Sequence, residues 1–67
     1  MARRTMTSRE LQRRLRSEGW QVVRRGPGDQ VQYKHPDKPG RVSIDAGRKE
    51  IPIGTLRNIF RQAGWQW

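Results

Sequence analysis

The sequence predicts an α+β domain in which a helix, three antiparallel strands and a second helix follow one another, with both helices on one face of the sheet. Apolar residues recur at three and four positions in two segments, and they alternate with polar residues in the three segments between them. The connections are short and rich in Gly, Pro and Asp, which favours antiparallel pairing because parallel strands need a longer crossover. A chain of 67 residues with 31% hydrophobic residues can build only one small core, so both helices must cover the same face.

The first helix is expected over about residues 8–18. Thr7 and Glu10 have the spacing of a capping box, and Gly19 supplies a left-handed stop after which Trp20 can pack back onto the helix. The side chains divide into two sets: Leu11 and Leu15 on the buried face, and Arg9, Arg13 and Arg16 elsewhere. We expect residues 7–67 to form a single domain, preceded by a flexible N-terminal segment of residues 1–6.

Three strands are predicted next, at residues 20–25, 30–35 and 41–45, each with period-two alternation. The last segment, IPIGTLRNIFRQAG, predicts a helix with Pro52 in its first turn and Gly64 at its end. Its apolar stripe contains Leu56, Ile59, Phe60 and Ala63.

The charge of the chain predicts a polyanionic partner. Fifteen Lys and Arg against six Asp and Glu give a net charge of +9, and twelve of the fifteen are arginine, whose planar fork suits phosphate. Charge alone does not choose between RNA, DNA and an acidic protein. On the open face of the sheet and at the start of the second strand, four residues are candidates for contacting RNA, each with a merely solvated surface as the alternative: Arg24, Arg25, Lys34 and Arg41.

Several classes of function are disfavoured by what the sequence lacks. It has no cysteine and a single histidine, so we predict no disulfide, no metal site and no cofactor. Apolar runs of two or three residues predict no membrane span, and a cytoplasmic protein fits this composition. His35 lies at a strand end before a proline, where we expect a structural role. From residue chemistry alone, the chain is a basic binding module.

Three segments resemble the HicA family of bacterial and archaeal toxins: TSRELQRRLRSEGWQVVRR, VQYKHPDKPGRVSI and KEIPIGTLRNIFRQAGW. The resemblance covers about residues 7–65 and is strongest in the last helix, which is similar to the family's PxGTLxxIxxQAG pattern. It implies a fold like that of the double-stranded-RNA-binding domain. It also implies a ribosome-independent endoribonuclease that cleaves mRNA and arrests growth. We would then expect a monomer alone and a hetero-oligomer with a HicB-type antitoxin.

The resemblance also locates a catalytic position. The family's activity is attributed to the histidine of a Gly-Ser-His motif at the start of the second strand. Here Gly28 and Asp29 fall on the first two positions and Gln30 on the histidine, so His35 is not the family's catalytic residue. Glutamine has a similar reach but does not titrate, and loss of a general base costs roughly 10²–10⁴-fold in rate. The resemblance therefore implies an inactive form of the enzyme.

Some alternatives stay open at this point. The glutamine is either a deliberate replacement in a protein that would harm its host, which we favour, or a natural feature of a chain that is degenerate or uses another group. A non-catalytic RNA-binding module of the same fold is the second hypothesis, and a DNA-binding domain is the third. For the two C-terminal tryptophans there are two alternatives. Either Trp65 caps the core while Trp67 frays, or one of the two anchors the antitoxin.

Overall fold

A computed structural model describes residues 5–67 of the chain and confirms the α-β-β-β-α order. The elements are α1 (Ser8–Ser17), β1 (Gln21–Arg25), β2 (Gln30–Lys34), β3 (Arg41–Asp45) and α2 (Ile53–Ala63). The strands lie in the order β1-β2-β3 and both pairs are antiparallel. Part of the segment expected to be flexible, residues 1–4, lies outside the described residues, so that expectation stays a prediction.

One face of the sheet is buried by the two helices. Val31 of β2 lies opposite Ile44 of β3, and Tyr33 lies opposite Val42, with all four side chains buried. Their neighbours in the strands point to the other side, which we call the open face. The buried face packs against Leu11 and Leu15 of α1 and the apolar stripe of α2: Leu56, Ile59, Phe60 and Ala63.

A β-bulge in β1 was not predicted. Val22 pairs with Tyr33 and Arg24 pairs with Gln32, so Val23 is the extra residue between them. Val23 is 49% exposed, whereas Val22 packs against the core. Because of the bulge, Val22 and Arg24 lie on opposite faces although they are two positions apart, and Arg24 reaches the open face.

The ends of α1 follow the predicted capping. The Thr7 hydroxyl accepts a hydrogen bond from the Glu10 backbone (3.1 Å), and the Glu10 carboxylate accepts one from the Thr7 backbone (3.0 Å). Gly19 has a φ of 96°, and the Trp20 amide donates to the Leu15 carbonyl (3.0 Å), which is a Schellman motif. The helix ends at Ser17, slightly earlier than expected.

The second helix differs from the prediction at its start and agrees at its end. Pro52 has a ψ of 147°, which is extended backbone, so it is the N-cap and the helix begins at Ile53. Gly64 ends the helix with a φ of 77°, in the left-handed region that favours glycine.

A short strap that the sequence did not predict joins the start of α1 to the loop before α2. The Ser8 amide donates to the Lys49 carbonyl (3.2 Å), and the Ile51 amide donates to the Met6 carbonyl (3.1 Å). Behind the strap, the Tyr33 hydroxyl donates to the Gln12 side chain (2.7 Å). Both the backbone and a buried side chain therefore fix the position of α1.

At the other end of α1, four side chains form what we call the Glu18 cluster: Arg14, Glu18, His35 and Trp65. The Glu18 carboxylate accepts hydrogen bonds from the Trp65 indole (2.7 Å) and from Arg14 (3.2 Å). The Trp65 hydrogen bond, followed by that of Arg14, lowers the pKa of Glu18 below its usual value, although partial burial opposes the shift. The Glu18 backbone carbonyl accepts a hydrogen bond from Nε2 of His35 (2.9 Å).

The two C-terminal tryptophans both pack onto the fold. Trp65 is buried, and the Arg14 guanidinium lies 4.0 Å from the centre of its ring. Trp67 is half-buried and meets Phe60 edge-on at 5.2 Å. The expectation that Trp65 caps the core is confirmed, and the expectation that Trp67 frays is wrong because Phe60 offers it an aromatic partner.

The Glu18 carboxylate is expected to contribute acid-sensitive stability. Because its pKa is lowered in the folded state, its contribution is present above the unfolded pKa and is lost as the pH falls through the folded pKa. Glu18→Gln should lower stability at pH 7 by about 1 kcal/mol, a value discounted for partial exposure, or roughly 4–8 °C in Tm. It should also flatten the fall in Tm between about pH 5 and pH 3.

Thermal unfolding by circular dichroism across this pH range measures the effect. Glu50→Gln removes a carboxylate outside the Glu18 cluster and is the matched control. This role of Glu18 would be contradicted if both variants lost the same stability at pH 7 and their Tm values fell in parallel as the pH was lowered.

Candidate functional site

Gln30 is the first residue of β2 and follows a tight turn. The turn is closed by a hydrogen bond from the Gly26 amide to the Gln30 carbonyl (2.9 Å). Gly28 adopts a φ of 69° within it, which explains a glycine at this position. The Gln30 side chain is exposed and lies opposite Asp45 of β3. The turn therefore presents residue 30 to solvent at a fixed corner of the sheet.

Asp29 joins this turn to the loop that follows β3. Its carbonyl accepts a hydrogen bond from the Ala46 amide (2.7 Å), and its carboxylate lies against Gly47. A β-carbon at residue 47 would clash with the Asp29 side chain. Glycine at 47 thus allows the two loops to meet beside Gln30.

Asp45 holds a cation next to the same corner. Its carboxylate accepts a hydrogen bond from the Gly47 amide (3.1 Å) and lies 3.6 Å from Nε of Arg48. Residues directly opposite one another in an antiparallel pair have β-carbons about 4.5–5.5 Å apart. A side chain at residue 30 is therefore near the Asp45 carboxylate, with Arg48 beyond it.

The groups at this corner can hydrogen-bond and carry charge, but the amide of Gln30 cannot take up a proton at neutral pH. Within residues 5–67, no cluster of three His, Cys, Asp or Glu side chains could hold a metal ion. The hydrogen-bonding and charged groups at this corner can bind a polar or anionic ligand.

His35 lies at the far end of β2 and has two structural partners. The Asp37 amide donates to Nδ1 (3.0 Å), which leaves Nε2 to donate to the Glu18 carbonyl (2.9 Å). The ring also meets Trp20 edge-on, with 5.3 Å between the ring centres. His35 directly follows β2 and is five residue steps from Gln30, or about 17 Å of extended chain. Both ring nitrogens are occupied, as expected for a structural histidine.

Three of the four predicted RNA-contacting residues lie on the open face. Arg24 pairs with Gln32, and Lys34 pairs with Arg41 at the end of the sheet away from Gln30. Arg25 pairs with Val31 and so belongs to the opposite side of the sheet, although it is exposed at the end of β1. The four cations therefore do not form one patch around Gln30.

A second cationic surface was missed by sequence reasoning. A groove of about 780 Å³ lies between α1 and the loop after β3, and we call it the basic groove. Its charged lining residues are all cations: Arg9, Arg13, Arg16, Arg48 and Lys49. The spacing of the three helical arginines, at i, i+4 and i+7, indicates one helical face and was visible in the sequence. The loop cations have no such periodicity.

The chain was compared with known proteins. The model of a family described as "HicA toxin of bacterial toxin-antitoxin" matches residues 8–65. No curated protein matches the chain. None of the helices within residues 5–67 has the length and apolar character needed to cross a membrane.

Contact between Asp29 and Gly47 leads to a prediction about stability. Gly47→Ala should destabilise the domain by about 0.5–1.5 kcal/mol, because the added methyl group pushes the Asp29 side chain off its rotamer. Gly54→Ala is the matched control: residue 54 lies in α2 with open space around it, so alanine should stabilise the helix by roughly 0.5–1 kcal/mol.

Urea unfolding of the three proteins gives the free energies. Opposite signs for the two variants are expected, and a Gly47→Ala protein as stable as the starting chain would show that the Asp29 side chain is not held against residue 47.

Proposed function

The chain belongs to the HicA toxin family of toxin-antitoxin systems, and we propose that it is an RNA-binding endoribonuclease scaffold whose catalytic position holds Gln30. The proposal rests on one observation above others, the exposed corner at the start of β2. There Gln30 faces Asp45 across the sheet and Arg48 lies just beyond. A corner of this kind brings a hydrogen-bonding side chain and a cation to the same place on a strongly basic protein. We place its activity on mRNA in the cytoplasm.

RNA cleavage at such a corner would use the 2′-hydroxyl of the ribose as the nucleophile. This oxygen attacks the neighbouring phosphorus, its proton passes to a base, and the 5′-oxygen of the next nucleotide leaves. Histidine suits the base because an imidazole accepts and releases protons near neutral pH. An imidazole at residue 30 would be close enough to Asp45 to be oriented by its carboxylate. Arg48 would offset the charge that develops on the phosphate.

As it stands, the chain is proposed to bind RNA without cutting it. Gln30 keeps the size and hydrogen-bonding reach of the histidine but cannot accept the proton. The second candidate function, a non-catalytic RNA-binding module, is favoured by this same residue. Restoring histidine separates the two functions, because only an enzyme scaffold gains activity.

Gln30→His is expected to cleave a labelled mRNA without ribosomes and with EDTA present, roughly 10²–10⁴-fold faster than the starting chain. The rate should fall on acidification below about pH 6, where an imidazole is protonated and no longer acts as a base. Gln30→Asn keeps an amide at this position and is the matched control.

His35→Ala in the Gln30→His background tests which histidine acts. It removes two hydrogen bonds outside the proposed site, so cleavage should persist while stability falls by about 1–2 kcal/mol. A folded Gln30→His protein that is inert on every RNA tried would overturn the enzyme proposal. Complete loss of cleavage in a folded double variant would show that the base is His35.

We also propose that a HicB-type antitoxin covers the Gln30 corner and excludes RNA. Association depends on charge and buried area rather than on proton transfer, so the complex should form with Gln30 in place. The antitoxin is expected to present acidic and apolar groups to this cationic surface.

Size-exclusion chromatography of the two purified chains, mixed at micromolar concentration in moderate salt, should show co-elution. RNA added to the complex should stay unbound, whereas the same RNA should bind the free chain. Separate elution would contradict the proposed partner, and a complex that still binds RNA would contradict the proposed location of the interface.

A further inference from the structure

The basic groove beside the candidate site carries charge of one sign only. Its charged lining consists of five cations and no carboxylate. The ion pairs within residues 5–67 are Arg14–Glu18 and Arg48–Asp45, so four of the five groove cations have no carboxylate at ion-pair distance: Arg9, Arg13, Arg16 and Lys49. The pKa of the Glu10 carboxylate is lowered by hydrogen bonds from Thr7 and further by the nearby Arg13. Arg13 forms no ion pair with that carboxylate, so all four can contact an external anion.

Helix geometry gives the groove the form of a track. Arg9, Arg13 and Arg16 lie along one side of α1 over about 10 Å of helix axis. A strand in duplex geometry carries one phosphate per 3.4 Å of axis, so this length corresponds to about three phosphates. Arg48 and Lys49 form the opposite wall. Cations on both walls suit a chain of regularly spaced anions.

The groove leads to the Gln30 corner. Gly47 belongs to its lining and also contacts Asp29, the residue before Gln30. Arg48 lines the groove and is paired with Asp45, which lies opposite Gln30. A phosphate beside Arg48 would therefore be a neighbour of whatever side chain occupies residue 30.

The open face offers a weaker alternative. Two of its three cations, Lys34 and Arg41, lie four residues of β2 from Gln30, or about 13 Å along the strand, and the third, Arg24, lies opposite Gln32. The Arg41 guanidinium already donates to the Gln32 side chain (3.1 Å).

From these contacts we infer that the RNA backbone lies in the basic groove, between α1 and the loop after β3, and reaches residue 30 past Arg48. This inference rests on the proposed function and specifies where that function binds its substrate. It replaces the open face as the principal RNA surface. An acidic segment of a protein is the competing occupant, and the test below includes it.

Fluorescence anisotropy with a labelled single-stranded RNA of twelve nucleotides, measured on the full chain over a range of salt, tests the inference. Arg9→Gln/Arg13→Gln should weaken binding at least tenfold at 50 mM salt, and the log–log salt slope should become shallower by about 1.4 because two phosphate contacts are lost. Lys34→Gln/Arg41→Gln removes the same charge from the open face and should weaken binding less than threefold. Lys49→Gln, on the opposite wall, gives a loss independent of α1 should the helix variant fail to fold.

Comparable losses in the two double variants, or a greater loss from the open-face pair, would overturn the groove assignment while leaving RNA binding intact. No RNA binding by the starting chain at low salt would instead overturn the proposed function. Polyglutamate serves as the second probe. Groove variants that lose affinity for polyglutamate but keep full affinity for RNA would assign the groove to an acidic protein and overturn the inference.

Discussion

At its C-terminal end, α1 is held by Glu18, which is bonded to two other parts of the chain and to α1 itself. Its backbone carbonyl accepts a hydrogen bond from His35, just after β2. Its carboxylate accepts hydrogen bonds from Trp65, beyond α2, and from Arg14 within α1. A domain with so small a core gains little from apolar burial alone. Together with the strap at the other end of α1, these polar contacts hold α1 across the sheet, and α1 carries one wall of the basic groove. Contacts at both ends of the helix thus stabilise the geometry of the surface along its side.

Local signals explain why much of the fold could be predicted from the sequence. The capping box at Thr7 and the glycines at 19 and 64 act within a few residues, and the alternation in β2 and β3 reports directly which face is buried. The contacts that were not predicted join distant residues. The bulge at Val23 depends on the register with β2, and the Ser8–Lys49 hydrogen bond joins α1 to a loop without periodicity. No local pattern encodes such contacts.

The candidate site, too, could be predicted from the sequence only in part. Residue chemistry alone indicates a basic binding module, and only the resemblance to a family draws attention to Gln30. Sequence reasoning identified Arg24, Lys34 and Arg41 as surface cations but could not show how far the last two lie from that corner. The walls of the groove come from α1 and from a loop that begins about thirty residues later, so the groove becomes visible only when the chain is folded. His35, just after β2, has a structural role, whereas the proposed catalytic position is Gln30 at the start of the same strand.

The central claim is that RNA follows the basic groove to residue 30. The most direct measurement is an NMR titration of the ¹⁵N-labelled chain with a short single-stranded RNA at low salt. The account predicts shifts in the amide resonances of residues 9–16, 29–30 and 46–49, reversed by added salt, with little change at 32–34 and 41–43. Shifts confined to those two strand segments, or no salt-sensitive shifts at all, would contradict it.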